Sequence, residues 1–175
     1  IEQATIGYGY GLSVSLLQLA RAYTVFARDG DVVPLSLLKL DAPPLAIPVL
    51  RPETAVAMRG MLEMAVGPGG TAPRARIDGY RVAGKTGTAR KIRNGRYVSE
   101  YVASFAGFAP ASNPRLVIAV MIDDPGTGQF YGGQVAAPVF AEVAARSLRT
   151  LQVPPDSAAP TVVARAPVER REGTL

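Results

Sequence analysis

The sequence predicts an α+β fold in which helices pack against an antiparallel sheet. Two stretches in the first half carry apolar residues at helical spacing, and three extended stretches joined by short turns follow in the second half. A further helical stretch comes after them. With 175 residues, of which 48% are hydrophobic, the chain is long enough to bury one core of ordinary domain size.

The first half contains two predicted amphipathic helices. Apolar side chains recur at i, i+3, i+4 and i+7 between residues 15 and 28, and Gly30 marks the stop. The second helix begins at Pro52, because proline is favoured in a first helical turn, and continues to Gly67. Between the two helices, Val32 to Leu40 predicts a short strand or an extended pair.

The second half contains the predicted sheet. Its strands are Tyr80 to Ala89, Tyr101 to Ala109 and Arg115 to Asp123. Turn residues separate them at Asn94-Gly95 and at 111–114. Three consecutive antiparallel strands are the simplest arrangement of these segments.

The last helix is predicted from Val135 to Leu151 and should pack across the sheet. Pro138 fits this helix only in its first turn, because a proline further along removes a backbone hydrogen bond. From residue 154 the apolar periodicity is lost, so residues 154–175 are expected to form a disordered tail. Residues 1–153 then form one domain.

Composition restricts the chemistry that the chain can perform. It has no Cys and no His, which excludes thiol nucleophiles, zinc–thiolate sites and Ser-His-Asp triads. Acid–base work would fall to Lys, Asp, Glu or Tyr. We expect no metal site and no cofactor, and no apolar run approaches the roughly 18 residues that a transmembrane helix needs.

Six basic residues lie close together and give the chain much of its net charge of +5. They are Arg81, Lys85, Arg90, Lys91, Arg93 and Arg96. The cluster would suit an anionic ligand, and it would equally suit a solvated basic hairpin. Nucleic acid is not an expected partner, because the cluster has no interleaved aromatic residues and lies on no helix.

Residues Gly79 to Thr86 match the nucleotide-binding pattern G-x-x-x-x-G-K-T. In a phosphate-binding loop an apolar strand precedes the pattern and a helix begins at its lysine. Here polar residues 73–78 precede the pattern and an extended segment follows it. A nucleotide-binding module is therefore kept only as an alternative.

Ser36 and Lys39 match S-x-x-K, in which a lysine one helical turn away activates a serine nucleophile. Their segment predicts an extended chain, in which positions i and i+3 point to opposite faces. We therefore expect no catalytic serine–lysine pair here.

A third motif, Lys85-Thr86-Gly87-Thr88, lies on a predicted strand. Four further segments occur around it in order, namely Gly7-Tyr8-Gly9, Leu16 to Arg21, Phe105 to Pro110 and Tyr131 to Phe140. Together these segments resemble the class B penicillin-binding proteins, particularly the division-specific septal transpeptidases, over roughly residues 1–153.

The resemblance implies part of a penicillin-binding-protein and serine β-lactamase-like transpeptidase fold. In that family a serine attacks the D-Ala-D-Ala carbonyl of a peptidoglycan stem peptide, and β-lactams acylate the same serine. The resemblance assigns Lys85 a positive charge in the cleft, and assigns the hydroxyls of Thr86 and Thr88 to the substrate or β-lactam carboxylate. It gives the Thr88 backbone N–H to the oxyanion hole. Gly87 would permit the close approach of a backbone or ligand.

The resemblance extends the substrate-binding site beyond the motif. It places Arg90 near the substrate carboxylate, and it makes Tyr101, Phe130 and Tyr131 an aromatic wall beside the cleft. Lys91, Arg93 and Arg96 are expected to lie in a solvated loop.

The nucleophile of such a site is missing, because the sequence has no S-x-N triplet and no S-x-x-K helix is predicted. We expect the chain to be the C-terminal half of a longer domain, inactive alone and packed against its N-terminal half. The resemblance further implies division-complex membrane proteins as partners, and a location at the periplasmic face of the inner membrane through an upstream anchor. A serine β-lactamase and a non-catalytic penicillin-binding-like domain remain alternatives.

Overall fold

The computed structural model describes residues 6–7, 12–126 and 128–157. In chain order its elements are α1 (Leu16–Ala27), β1 (Asp31–Val32), β2 (Ile47–Pro48), α2 (Pro52–Val66), a 3-10 turn (Pro73–Ala75), β3 (Ala83–Arg93), β4 (Arg96–Ala109), β5 (Leu116–Asp123) and α3 (Gly132–Thr150). The predicted α+β class is confirmed. Tyr8 and Gly9 of the glycine motif, and the tail from residue 158, lie outside the described residues.

The main sheet has the order β3-β4-β5, and both pairs of strands are antiparallel, as predicted. The β3–β4 hairpin closes through Asn94-Gly95, whose φ angles are both positive at 51° and 74°. Such a turn matches the right-handed twist of the strands that it joins. β4 is the central strand, and within the described residues β3 pairs with β4 alone, so β3 forms an edge of this sheet.

The two faces of the sheet are covered by different helices. Phe105 of β4 packs against Phe140 of α3, with the ring centroids 4.7 Å apart and the planes inclined at 60°, within the larger buried cluster. On the opposite face, Phe108 packs with Leu62 of α2 and with side chains of α1. Paired residues share a face, so Thr86, opposite Phe105, faces α3.

Pro138 lies in the second turn of α3, so the prediction that it would be confined to the first turn was wrong. A proline here has no N–H to donate to the carbonyl of Gln134, four residues earlier. Nη1 of Arg74 donates to that carbonyl instead, at 3.1 Å. The helix tolerates the proline because a side chain from outside it supplies the missing donor.

The predicted short strand or extended pair from Val32 to Leu40 was also wrong beyond its first residue. Only Asp31–Val32 is a strand, and it pairs with Ile47–Pro48. Pro34 cannot donate to a ladder, and the exposed fractions of Leu37 and Leu38 are 103% and 80%, so no surface is buried that would hold an extended strand there.

The predicted starts of two strands, at Tyr80 and Tyr101, differ from those in the structure. Tyr80 forms a single bridge with Ile77 rather than opening β3, which begins at Ala83. β4 extends back to Arg96, because the tight turn lets the strands continue pairing almost to the tip.

The predicted tail begins at residue 154, but residues 154–157 are held against the domain. The Asp156 carboxylate accepts hydrogen bonds from the backbone N–H of Arg81 at 2.7 Å and from the hydroxyl of Ser112 at 2.6 Å. The N–H groups of Asp156 and Ser157 both donate to the carbonyl of Gly79. Residues 156 and 157 therefore bind to the domain beyond its predicted end at residue 153.

None of the helices in the described part of the chain is long and apolar enough to cross a membrane.

Candidate active site

The ammonium group of Lys85 is surrounded by uncharged oxygen atoms. Its Nζ lies 3.1 Å from Oγ1 and 3.3 Å from the carbonyl oxygen of Thr86, and 3.5 Å from Oγ1 of Thr71. Among the residues that the structure describes, no carboxylate pairs with it. Because the charge of Lys85 is hydrogen bonded but not neutralised, it remains available to attract an anion.

Thr86 shares its hydroxyl with a residue that the sequence did not single out. Its Oγ1 donates to Oγ1 of Thr71, at 3.3 Å, and accepts from Lys85. Thr71 follows the glycines between α2 and β3, and nothing in its local sequence indicates contact with a strand fifteen positions later. Only the path of this loop in the fold could reveal it.

Gly87 faces Ser104, its partner on β4. A Cβ at this position would overlap the hydroxyl oxygen of Ser104, although it would lie 3.8 Å from the Ser104 Cβ. The expected close neighbour was a backbone or a ligand. Within the described chain that neighbour is a side chain, and the space above Gly87 is small because Ser104 fills it.

The hydroxyl of Thr88 binds the first turn of α3. Its Oγ1 accepts a hydrogen bond from the backbone N–H of Gly132 at 3.1 Å. Tyr131, the N-cap residue of α3, makes no side-chain capping bond, so Thr88 satisfies one of the donors that every helix leaves open at its start. The hydroxyl hydrogen of Thr88 is still free to be donated to another acceptor.

Two glycines let α3 begin directly against β3 and β4. A Cβ on Gly132 would overlap the carbonyl of Ser104 and lie 2.6 Å from that of Gly87. A Cβ on Gly133 would overlap the carbonyl of Thr71. The positive end of the α3 dipole is therefore held next to Thr86 and Thr88, on the face of β3 that carries their hydroxyls.

The predicted aromatic wall is assembled beyond Thr88. The rings of Tyr101 and Phe130 are stacked at 4.0 Å, and those of Phe130 and Tyr131 lie 4.5 Å apart. Arg90 lies at this wall, with its guanidinium carbon 6.0 Å from the centre of the Tyr101 ring. The structure thus brings together the four residues that were expected to extend the site.

Two of the remaining basic residues are paired within the hairpin. Nζ of Lys91 lies 2.7 Å from the Asp123 carboxylate, and Nη2 of Arg93 lies 2.6 Å from that of Glu100. The hydrogen bond to Asp123 raises the pKa of Lys91, and that from Arg93 lowers the pKa of Glu100. Because these charges are compensated, the interpretation as a solvated hairpin is favoured over a polyanion site.

The nucleotide-binding pattern does not have the required structure. Lys85 and Thr86 lie within β3, where a phosphate-binding loop would begin a helix. The backbone N–H groups of these residues cannot converge on a phosphate as they would in the first turn of a helix.

A known family accounts for the described geometry. The family model of the penicillin binding protein transpeptidase domain matches residues 1–145. The chain belongs to this transpeptidase family. Lys85 to Thr88 lie within the part of the chain that matches this domain.

Curated relatives of the chain are named as peptidoglycan D,D-transpeptidases. The chain is 50% identical, over 156 residues, to the probable peptidoglycan D,D-transpeptidase PenA of Neisseria flavescens, and covers 39% of that protein. It is 46% identical, over 159 residues, to the peptidoglycan D,D-transpeptidase FtsI of Escherichia coli, and covers 27% of it. These matches include 89% and 90% of this chain.

A solved structure has the same fold. The transpeptidase domain of penicillin-binding protein 3 from Burkholderia pseudomallei superposes with a TM-score of 0.84 at 51% identity. The match covers 90% of this chain and 48% of the other. The chain thus spans about half of the solved transpeptidase domain, and less than half the length of the curated relatives.

The S-x-x-K match in this chain has no helical geometry. Residues 36–39 lie outside any helix, and the Ser36 hydroxyl donates to the carbonyl of Leu38 at 2.8 Å. Ser36 and Lys39 therefore cannot act as the family's serine and lysine.

Proposed function

We propose that the intact protein carrying this chain is a serine-type peptidoglycan D,D-transpeptidase of cell division, and that this chain supplies the strand wall of its active site. The observation that carries the proposal is the arrangement of Lys85, Thr86 and Thr88 against the start of α3, in a chain of the transpeptidase family. The serine nucleophile and its lysine base come from a part of the protein that this chain does not include.

In the proposed reaction, that serine attacks the carbonyl of the penultimate D-Ala of a stem peptide. The negative charge on the carbonyl oxygen is stabilised by hydrogen bonds that include the Thr88 backbone N–H. Collapse of the tetrahedral intermediate releases the terminal D-Ala, and an amine of a neighbouring strand then takes the acyl group. β-Lactams acylate the same serine and block the second step.

The wall contributes binding and polarisation in this scheme. Lys85 attracts the carboxylate end of the substrate and polarises a serine hydroxyl of the missing half of the domain. The hydroxyls of Thr86 and Thr88 donate to that carboxylate, while Gly87, which has no side chain, leaves only the Ser104 hydroxyl above its own face of the strand. Arg90 and the wall of Tyr101, Phe130 and Tyr131 contact the remainder of the stem peptide or the β-lactam side chain.

The location and partners follow from the same proposal. The protein acts at the periplasmic face of the inner membrane, held there by a segment outside this chain. Its ligands are stem peptides and β-lactams, and division-complex membrane proteins are its partners. The other half of the transpeptidase domain packs against this one.

The test is covalent labelling of the intact protein with a fluorescent penicillin. We expect stable labelling of a serine outside this chain, and a loss of acylation rate on the order of 100-fold in Lys85→Ala. Lys39 is an exposed lysine of the loop between β1 and β2, so Lys39→Ala is the matched control and should label normally. Absence of label would contradict the proposal, and rapid hydrolysis of the penicillin would indicate a β-lactamase instead.

A further inference from the structure

Thr71 contacts the site in two ways from the loop that joins α2 to β3. Its hydroxyl oxygen lies 3.3 Å from the hydroxyl oxygen of Thr86 and 3.5 Å from Nζ of Lys85. Its carbonyl lies against Gly133, where any side chain would overlap it. Thr71 thus touches both the strand and the helix that form the wall.

The backbone that carries Thr71 is fixed at both ends. Ala72 is fully buried, and its N–H donates to the carbonyl of Ala65 at 2.9 Å, at the end of α2. Gly70 approaches that same carbonyl so closely that a Cβ there would overlap it. On the other side, Arg74 holds the Gln134 carbonyl of α3. The position of the Thr71 hydroxyl is therefore set by the fold.

Folding by itself does not require this hydroxyl. Thr71 is exposed, so water could satisfy its oxygen if the contacts with Lys85 and Thr86 were absent. A buried hydroxyl would have to find a partner to avoid a desolvation cost, but this one would not. The contacts of this hydroxyl with Lys85 and Thr86 therefore serve the site and not the stability of the fold.

We infer that Thr71 is a positioning residue of the transpeptidase site, whose hydroxyl orients the hydroxyl of Thr86 and the ammonium of Lys85. The inference rests on the proposed function. A hydroxyl can donate as well as accept. In the structure, Thr86 donates to Thr71. When a substrate carboxylate binds, Thr86 turns its hydrogen to the carboxylate, and Thr71 donates to the Thr86 oxygen in its place.

The test compares Thr71→Val, which keeps the shape of the side chain, with Thr71→Ser, which keeps the hydroxyl, in the intact protein. The rate of acylation by a fluorescent penicillin should fall about threefold to tenfold in Thr71→Val, the range for one hydrogen bond. It should stay within about twofold of wild type in Thr71→Ser. Thr150→Val, which removes an exposed hydroxyl at the far end of α3, is the control and should not change it.

A double-mutant cycle with Thr86→Val separates positioning from general loss of structure. Because Thr71 contacts both Thr86 and Lys85, the loss in the double variant should be clearly smaller than the product of the two single losses. Full additivity, an equal loss in Thr71→Ser, or a normal rate in Thr71→Val would each overturn the inference. If Thr71→Val fails to fold, as judged by its melting temperature, Thr71→Ala provides the same comparison without a branched side chain.

The two proposals fail differently. A labelled wild-type protein with an equally labelled Thr71→Val variant removes only the role of Thr71. An unlabelled wild-type protein contradicts the proposed transpeptidase activity, and the role of Thr71 falls with it.

Discussion

At the scale of single residues, the wall consists of side chains that alternate in direction along β3. Thr86 and Thr88 point toward α3, while Lys85 and Gly87 lie on the opposite side of the strand. The Lys85 side chain reaches back to the Thr86 hydroxyl, so one cation and two hydroxyls serve the same edge of the sheet. Gly87 is needed because Ser104 already occupies the space that its side chain would fill.

Gly87→Ala should therefore lower the free energy of unfolding by about 1 kcal/mol, the cost of forcing Ser104 from its rotamer. The alanine Cβ would overlap the Ser104 hydroxyl but would lie 3.8 Å from its Cβ, an ordinary contact. Adding Ser104→Ala should then restore stability, as measured by thermal unfolding of the intact protein. A double variant as unstable as Gly87→Ala would show that the glycine is required by something other than Ser104.

At the scale of elements, the site depends on how closely α3 approaches the β3–β4 pair. Gly132 and Gly133 allow this approach, and Thr88 caps the helix at the same point. The helix is then held further along by Arg74, which takes over the hydrogen bond that Pro138 cannot make. The same contacts that stabilise α3 therefore also hold Thr86 and Thr88 in place.

Gly132→Ala should reduce the free energy of unfolding by about 1–3 kcal/mol, because its Cβ would meet backbone carbonyls that cannot move aside. The acylation rate should fall as well, since the Thr88 bond to α3 would be displaced. Gly60→Ala is the matched control. Gly60 lies inside α2 with nothing within 4 Å of an added Cβ, so the alanine should stabilise the protein by about 0.5–1 kcal/mol. Equal effects of the two substitutions would contradict the close-approach explanation.

At the scale of the whole molecule, the chain after α3 ties distant segments together. Asp156 binds the backbone just before β3 and the serine that follows β4, and Tyr80 donates to the carbonyl of Val153 at 2.6 Å. Both strands of the central hairpin are thus anchored at the end opposite their turn. The wall residues therefore lie between this anchored end of the hairpin and the ion pairs near its turn.

Asp156→Ala should lower the free energy of unfolding by about 1–3 kcal/mol, because the donors of Arg81 and Ser112 lose their acceptor. Chemical denaturation of the intact protein measures this loss. Asp78→Ala removes an exposed aspartate that makes no hydrogen bond or ion pair within the described chain, and should change stability by less than about 0.5 kcal/mol. If the two variants unfold alike, residues 154–157 do not anchor the hairpin.

The sequence by itself determined the class of fold, the helices, the order of the strands and the motif Lys85 to Thr88. These features follow from local periodicity and turn residues, which act over a few positions along the chain. The sequence also shows no S-x-N triplet, and its S-x-x-K match at Ser36 to Lys39 lies on a segment predicted to be extended.

Only the tertiary structure decided which groups meet across the chain. Thr71 beside Thr86, Ser104 beneath Gly87, Arg74 at the carbonyl freed by Pro138 and Asp156 at the start of β3 are contacts between separate segments. No local pattern specifies such pairs, because they depend on the path of loops and on the register of strands. The hydroxyl of Thr88 shows the difference most directly, since its strand is predictable and its helix-capping partner is not.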